Sequence, residues 1–230
     1  MAEELWTDVD RVINEALGGG DEHLDAALAA SAEAGLPAIS VTANQGKLLA
    51  LLIRATRARR VLEIGTLGGY STIWMARALP AGGQVVTLEF DPHHAEVAGE
   101  NLRRAGVADR VEVIVGAALD TLPGVEAAGG TFDLTFIDAD KEHNADYFAW
   151  AVRLATPGGL IIVDNVVRGG AIADPARTEA AVEGVRRLFE VMAATAGVEA
   201  TAVQTVGSKG HDGFALAWVA GEQRPRAGGE

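Results

Sequence analysis

The residues best suited to chemistry in this chain stand at the ends of two apolar runs. Asp138 and Lys141 lie in Phe136-Ile-Asp-Ala-Asp-Lys141, and Asp164-Asn165 closes Leu160-Ile-Ile-Val163. Two carboxylates and an amide oxygen are hard donors, with no sulfur and no obligatory imidazole. Such a set at Asp138, Asp164 and Asn165 suits Mg²⁺, or Mn²⁺ or Ca²⁺, with positions left for water and substrate oxygens. Two like charges in one crevice are costly unless a cation sits between them. Each residue also has a plainer use, Asp138 as a helix cap and Asp164-Asn165 as an Asx turn. Lys141 stands at a helix entrance, where the dipole opposes a cation, so stability alone does not account for it. Beside a metal its neutral amine could serve as a general base toward a phenolic hydroxyl. A solvated lysine or a salt bridge to Asp140 is the competing use.

A second stretch points to the co-reactant. Val61-Leu-Glu-Ile-Gly-Thr-Leu-Gly-Gly-Tyr-Ser71 reads as a strand, a glycine-rich turn and a helix start. Gly65, Gly68 and Gly69 allow backbone to approach a ligand closely, as nucleotide-binding turns require. The turn carries no Lys, its spacing is Gly-x-x-Gly-Gly, and Glu63 precedes it, so it favours a cation over a pyrophosphate. Gln84-Val-Val-Thr-Leu-Glu89 reads as the next strand. Glu89 falls about 20 residues beyond the turn, where an acid accepts hydrogen bonds from ribose hydroxyls. An adenosyl group with a positively charged, phosphate-free tail fits both features, which describes S-adenosylmethionine. Asp91, before Pro92, is read as a helix N-cap, which leaves Glu89 as the ribose candidate.

These residues need a parallel sheet to bring them together. Periodicity predicts strands over 60–65, 84–89, 111–116, 132–138 and 159–164, alternating with helices over 70–79, 92–105, 118–127 and 142–155. Such alternation implies right-handed βαβ units, with ligands beyond the carboxyl ends of the strands. A long helix over 175–195 follows, then strands over 199–205 and 213–219, separated by a loop at 207–213, which could close the sheet as a hairpin. Ahead of the core, helices over 5–17 and 22–34 and a third running to about Ala55, with Thr42 as N-cap, form a cover or a subunit contact. We expect one domain over 1–220, with the helical cover at 1–56 and the core at 60–220, and a disordered tail over 221–230.

Composition removes several function classes. The formal net charge of −13 opposes binding to nucleic acid, and the Arg57, Arg59, Arg60 cluster reads as a solvated helix end. The absence of cysteine excludes disulfides, thiolate metal sites and thiol nucleophiles. No apolar window is long enough to span a membrane, and the acidic amino terminus lacks the pattern of a secretory leader, so a cytoplasmic protein is expected.

Glu63-Ile-Gly-Thr-Leu-Gly-Gly-Tyr-Ser71, Phe136-Ile-Asp-Ala-Asp-Lys141 and Asp164-Asn165 followed by Gly169 together resemble the cation-dependent O-methyltransferases that include caffeoyl-coenzyme A and catechol O-methyltransferases. The resemblance runs from about Ile39 to Val219. It implies an α/β class I methyltransferase fold, Rossmann-like, with a mostly parallel seven-stranded sheet, helices on both faces and extra N-terminal helices. It places the cofactor at Val41, Glu63, Gly65, Ser71, Glu89, Ala118 and Asp138, the metal at Asp138, Asp164 and Asn165, and the base at Lys141. Asp138 is thereby catalytic as well as metal-binding. The implied acceptor is a small vicinal-diol aromatic, of catechol or caffeoyl type, contacted by Ile39 and Arg168, and a homodimer is implied. Three departures bear on substrate: Val41 replaces a frequent Thr, Asn144 replaces a frequent Tyr while Tyr147 is kept, and Arg168 stands where plant members have Trp, hinting at an anionic group on the acceptor. A non-catalytic S-adenosylmethionine-binding protein and, less favoured, an NAD-dependent dehydrogenase remain as alternatives.

Overall fold

The computed structural model describes residues 2–221. Eight α-helices flank one sheet: α1 Ala2–Leu17, α2 Glu22–Glu33, α3 Ala43–Thr56, α4 Tyr70–Ala78, α5 Pro92–Arg104, α6 Ala118–Ala127, α7 Asn144–Leu154 and α8 Ala180–Ala194. The strands are β1 Arg60–Ile64, β2 Gln84–Glu89, β3 Val111–Val115, β4 Phe132–Ile137, β5 Ala155–Asp164, β6 Val198–Gly207 and β7 Gly210–Val219. Their order across the sheet is β3-β2-β1-β4-β5-β7-β6, and β1 to β5 are parallel while β7 runs antiparallel to both β5 and β6. The α/β class, the seven strands and the closing hairpin match the expected fold.

Strand alternation sorts the core into two layers. Leu62 and Ile64 of β1 pack with Leu122, Phe148 and Leu188 from α6, α7 and α8 on one face. Val61, of the opposite phase, packs with Leu49, Ile53 and Ile73 from α3 and α4 on the other. Glu63 shares the phase of Val61, so a carboxylate points into an apolar layer. The sequence order reverses between β1 and β4, and the crevice beyond their carboxyl ends is the ligand position of such sheets.

Several boundaries differ from the sequence reading, each for a local reason. Strand β5 starts at Ala155, opposite Phe132, and a register shift carries it past Gly158, whose φ of +85° only glycine adopts easily. The helix expected from 142 opens with a 3₁₀ turn, Lys141–His143, before α7. Helix α8 begins at Ala180 because Asp174 and Pro175 form a turn, in which the Asp174 carboxylate accepts from the Ala176 N–H. The predicted loop over 207–213 is almost entirely strand, with Ser208-Lys209 as a tight turn. Asp91 and Thr42 cap α5 and α3 as expected, at 2.8 Å from the His93 N–H and 3.2 Å from the Gln45 N–H. Most of the tail assigned to 221–230 lies outside the described residues. Among the described residues no helix is long and apolar enough to cross a membrane.

The glycines of the turn are needed for packing within the chain. A Cβ on Gly65, whose φ is +101°, would stand 2.5 Å from the Asp138 carbonyl oxygen, and one on Gly68 would stand 2.0 Å from Ser31 Oγ. Gly65 therefore lets the ends of β1 and β4 approach, and Gly68 seats α2. We predict that Gly65→Ala costs about 2–4 kcal/mol. Gly99→Ala, mid-helix in α5 with nothing within 4 Å of the added Cβ, should stabilise by roughly 0.5–1 kcal/mol. Urea unfolding of both variants checks the pair; an unaffected Gly65→Ala would refute the packing role.

Candidate active site

The site is built from strand ends. Asp138, just past β4, accepts from Lys141 Nζ at 2.6 Å, and the Lys141 side chain is only 10% exposed. The competing pairing of Lys141 with Asp140 is not made; Asp140 instead accepts from Tyr147 Oη at 2.6 Å and pairs with His143. Asp164, the last residue of β5, is buried. Its Oδ2 accepts from Gln45 Nε2 at 2.6 Å and its Oδ1 from the Asn165 N–H at 2.8 Å. Burial, and then the neighbouring Asp138, raise its pKa well above the carboxylate range, while Lys141 and the two hydrogen bonds pull the other way. Asn165 is half-buried at φ +58°, a left-handed conformation that Asn tolerates better than most residues. Among the described residues its side chain has no hydrogen-bond partner, so its amide oxygen is uncommitted.

The cofactor-side acids are more enclosed. Glu63 is 0% exposed, and its carboxylate accepts from Ser71 Oγ at 2.6 Å, Thr72 Oγ1 at 2.5 Å and Thr87 Oγ1 at 2.7 Å. Burial dominates over these three hydroxyls and pushes its pKa up to about 7. Glu89 is buried too; its Oε2 accepts from the Thr66 and Leu67 N–H groups at 3.0 and 2.7 Å, which fixes the glycine turn. Its Oε1 accepts from the Asp91 N–H at 3.0 Å and lies 3.5 Å from His94 Nδ1. Gly65 N–H is spent on Leu88 O. Val41 and Ala118 are buried, Ala118 opening α6 with no side-chain cap ahead of it. Beside Glu89 the ring of Phe90 is 76% exposed, a flat apolar face at the rim that the sequence reading passed over.

Of the substrate candidates, Ile39 is exposed on the loop before α3, and Arg168 is exposed at φ +56°, held by its own N–H on Asp212 Oδ1 at 3.0 Å. Two further residues belong to the site and were missed. Gln45 reaches Asp164 across 119 residues of sequence. Lys209, on the β6–β7 turn, hydrogen-bonds the Ser40 carbonyl and lies within electrostatic reach of Asp138, Asp164 and Lys141. A different group, Asp140, Glu142 and His143, brings its ligand atoms within 4.8 Å of one another, but Asp140 is already engaged by Tyr147 and His143.

The donor set at Asp138, Asp164 and Asn165 fits a divalent cation: two carboxylates face one crevice, each retains lone pairs, and the neighbouring amide oxygen is free. The adenosyl side also fits its ligand, with a buried carboxylate beside an exposed ring and a helix N-terminus that lacks a cap.

Glu63 makes stability depend on pH. Its folded pKa is raised from 4.5 to about 7, so its contribution is full at low pH and is lost as pH rises through about 7. Glu63→Gln should therefore gain stability relative to the parent between pH 5 and pH 8, by on the order of 3 kcal/mol. Unfolding free energies of both proteins at the two pH values check this; parallel curves would remove Glu63 from the account.

Comparison with known proteins identifies the family. The O-methyltransferase family matches residues 20–217. The chain is 60% identical over 212 residues to the catechol O-methyltransferase of Mycobacterium tuberculosis, covering 92% of this chain and 95% of that protein. It superposes with a TM-score of 0.93 on the O-methyltransferase from Bacillus cereus solved in complex with SAH, at 51% identity and covering 94% of this chain and 99% of the other. The O-methyltransferase TomG from Streptomyces achromogenes, involved in tomaymycin synthesis and solved with SAM, gives a TM-score of 0.92 at 50% identity, covering 96% and 100%. A dehydrogenase reading is thereby set aside: the chain belongs to the O-methyltransferase family, as a class I methyl-transferring enzyme dependent on S-adenosylmethionine.

Proposed function

We propose that the enzyme methylates one hydroxyl of a vicinal-diol aromatic small molecule in a reaction that needs a divalent cation, most simply Mg²⁺. The observation that carries this reading is the meeting of Asp138, Lys141 and Asp164 beyond the ends of β4 and β5, beside the glycine turn at the end of β1. The catechol O-methyltransferases among its relatives support the acceptor class.

Asp138, Asp164 and Asn165 would hold the cation, which supplies the positive charge that makes a diol oxygen acidic and orients it. Val41, Glu89 and Ala118 would bind the adenosyl group, with Glu89 taking the ribose hydroxyls on its remaining lone pairs while it fixes the turn. Ser71 and Gly65 would set the end of the cofactor pocket, and Glu63, enclosed behind Ser71 and Thr72, would act on the sulfonium through its charge. Lys141, as its neutral amine, would accept the acceptor's hydroxyl proton. The deprotonated oxygen then forms its bond to the methyl carbon as the carbon–sulfur bond breaks. The protein's work is orientation and charge placement. Ile39 and Arg168 would border the acceptor at the mouth.

Helix α1 exposes Leu5, Val9, Val12 and Ile13 at helical spacing, and strand β6 is an unpaired edge that exposes Val203 and Val206. This supports a homodimer that covers the face, and we read the protein as cytoplasmic.

Methyl transfer from labelled S-adenosylmethionine to catechol, with Mg²⁺ or with excess chelator, tests the reading. Turnover should vanish with chelator. Lys141→Ala should lower kcat by roughly 10²–10⁴-fold while cofactor affinity stays within a few fold. Turnover indifferent to chelator would remove the metal, and equal loss of turnover and affinity in Lys141→Ala would remove the base.

A further inference from the structure

Lys209 lies within electrostatic reach of the strand-end acids, and neither the proposed strand-end chemistry nor the glycine turn uses it. Strand β7 runs antiparallel to β5 with Phe214 opposite Asp164, so the five residues before Phe214 carry the hairpin tip up to about 16 Å beyond the strand end. That places the tip over the crevice mouth. The tip is fixed there from below: Asp10 of α1 accepts from the Ser208 N–H at 2.8 Å and from Asn44 Nδ2 at 3.1 Å, and a Cβ on Gly207 would meet Asp10 Oδ2 at 2.7 Å.

From this anchored turn Lys209 sends its ammonium back over the crevice, toward Ser40 on the loop before α3. One of its three N–H donors goes to the Ser40 carbonyl. Among the described residues it forms no ion pair, while Lys141 is already paired with Asp138. Desolvation lowers its pKa, with Lys141 pulling the same way and Asp138 and Asp164 opposing, as for a cation held partly out of water near the acids. A flexible lysine with donors to spare, held at the rim of a polar crevice, is suited to an anion that enters from outside.

We propose that Lys209 selects acceptors whose aromatic ring carries a carboxylate in addition to the vicinal diol, by pairing its ammonium with that carboxylate. The inference rests on the methyl-transfer reading of the site and deepens it. Lys141 is engaged by Asp138, whereas Lys209 has no carboxylate partner among the described residues, so an acidic acceptor can pair with it where an uncharged one cannot.

The test uses the full-length enzyme with Mg²⁺ and S-adenosylmethionine, and two acceptors matched in shape, 3,4-dihydroxybenzoate and 3,4-dihydroxybenzamide. The parent enzyme should favour the acid, mainly through KM. Lys209→Met should reduce the ratio of the two kcat/KM values by about tenfold or more, the size of one charge-assisted hydrogen bond, and Lys209→Arg should restore most of it. Calorimetry of the same two compounds with Mg²⁺-loaded enzyme and SAH should show the same loss for the acid in Lys209→Met. This second readout stands even if neither compound is methylated, an outcome that would count against the catechol reading alone. Equal affinity of the parent enzyme for acid and amide would overturn the proposal. So would a uniform loss on both acceptors accompanied by weaker SAH binding, which would make Lys209 only a tether for the Ser40 loop.

Discussion

Two carboxylates, Asp138 and Asp164, are forced together at the ends of the adjacent strands β4 and β5, and the rest of the site answers that repulsion. Each would rest comfortably in water, but β4 and β5 are adjacent parallel strands and end at the same level. Burial of Asp164 then makes the second negative charge expensive. The chain offsets this with Lys141 on Asp138, with Gln45 and the Asn165 N–H on Asp164, and with Lys209 nearby. These partners reduce the cost and leave lone pairs on both acids for the proposed cation. A carboxylate pair kept for stability alone would be better replaced by apolar side chains.

Enclosure on the other half of the crevice follows from the same economy of polar groups. Glu63 cannot be solvated inside the α3–α4 layer, and three hydroxyls, from α4 and β2, stand in for water. Glu89 holds the turn through the Thr66 and Leu67 N–H groups, so the residue proposed to take the ribose hydroxyls also sets the shape of the glycine turn. Gly65 fits the same scheme, for its missing Cβ is what lets β1 lie against the Asp138 carbonyl. The glycine turn and the strand-end acids are thus joined through backbone, without a flexible linker between them.

Much of this was legible in the sequence, for a physical reason. Asp138, Lys141, Asp164, Asn165 and Glu89 sit at the ends of strongly apolar strands, and an open parallel sheet gathers strand ends whatever their separation in sequence. The N-caps Thr42 and Asp91 were equally local signals. Gln45 and Lys209 were not legible, because their roles depend on contacts 119 and 169 residues away, with Asp164 and Ser40. A glutamine on a helix and a lysine in a turn carry no pattern of their own. The glycines were found but partly misread, since sequence reveals small residues and not what they stand against. The hairpin tip was mistaken for a loop because glycines at 207, 210 and 213 mask the strand alternation.

The account turns on whether a cation binds between the strand-end acids. Paramagnetic resonance of Mn²⁺ titrated into the enzyme with SAH, comparing the parent with Asp164→Asn and with His143→Ala, measures this directly. The account predicts one bound Mn²⁺ per chain in the parent and in His143→Ala, and a loss of affinity of tenfold or more in Asp164→Asn with SAH still bound. Unchanged Mn²⁺ binding in Asp164→Asn, or its loss in His143→Ala, would place the ion elsewhere and contradict the account.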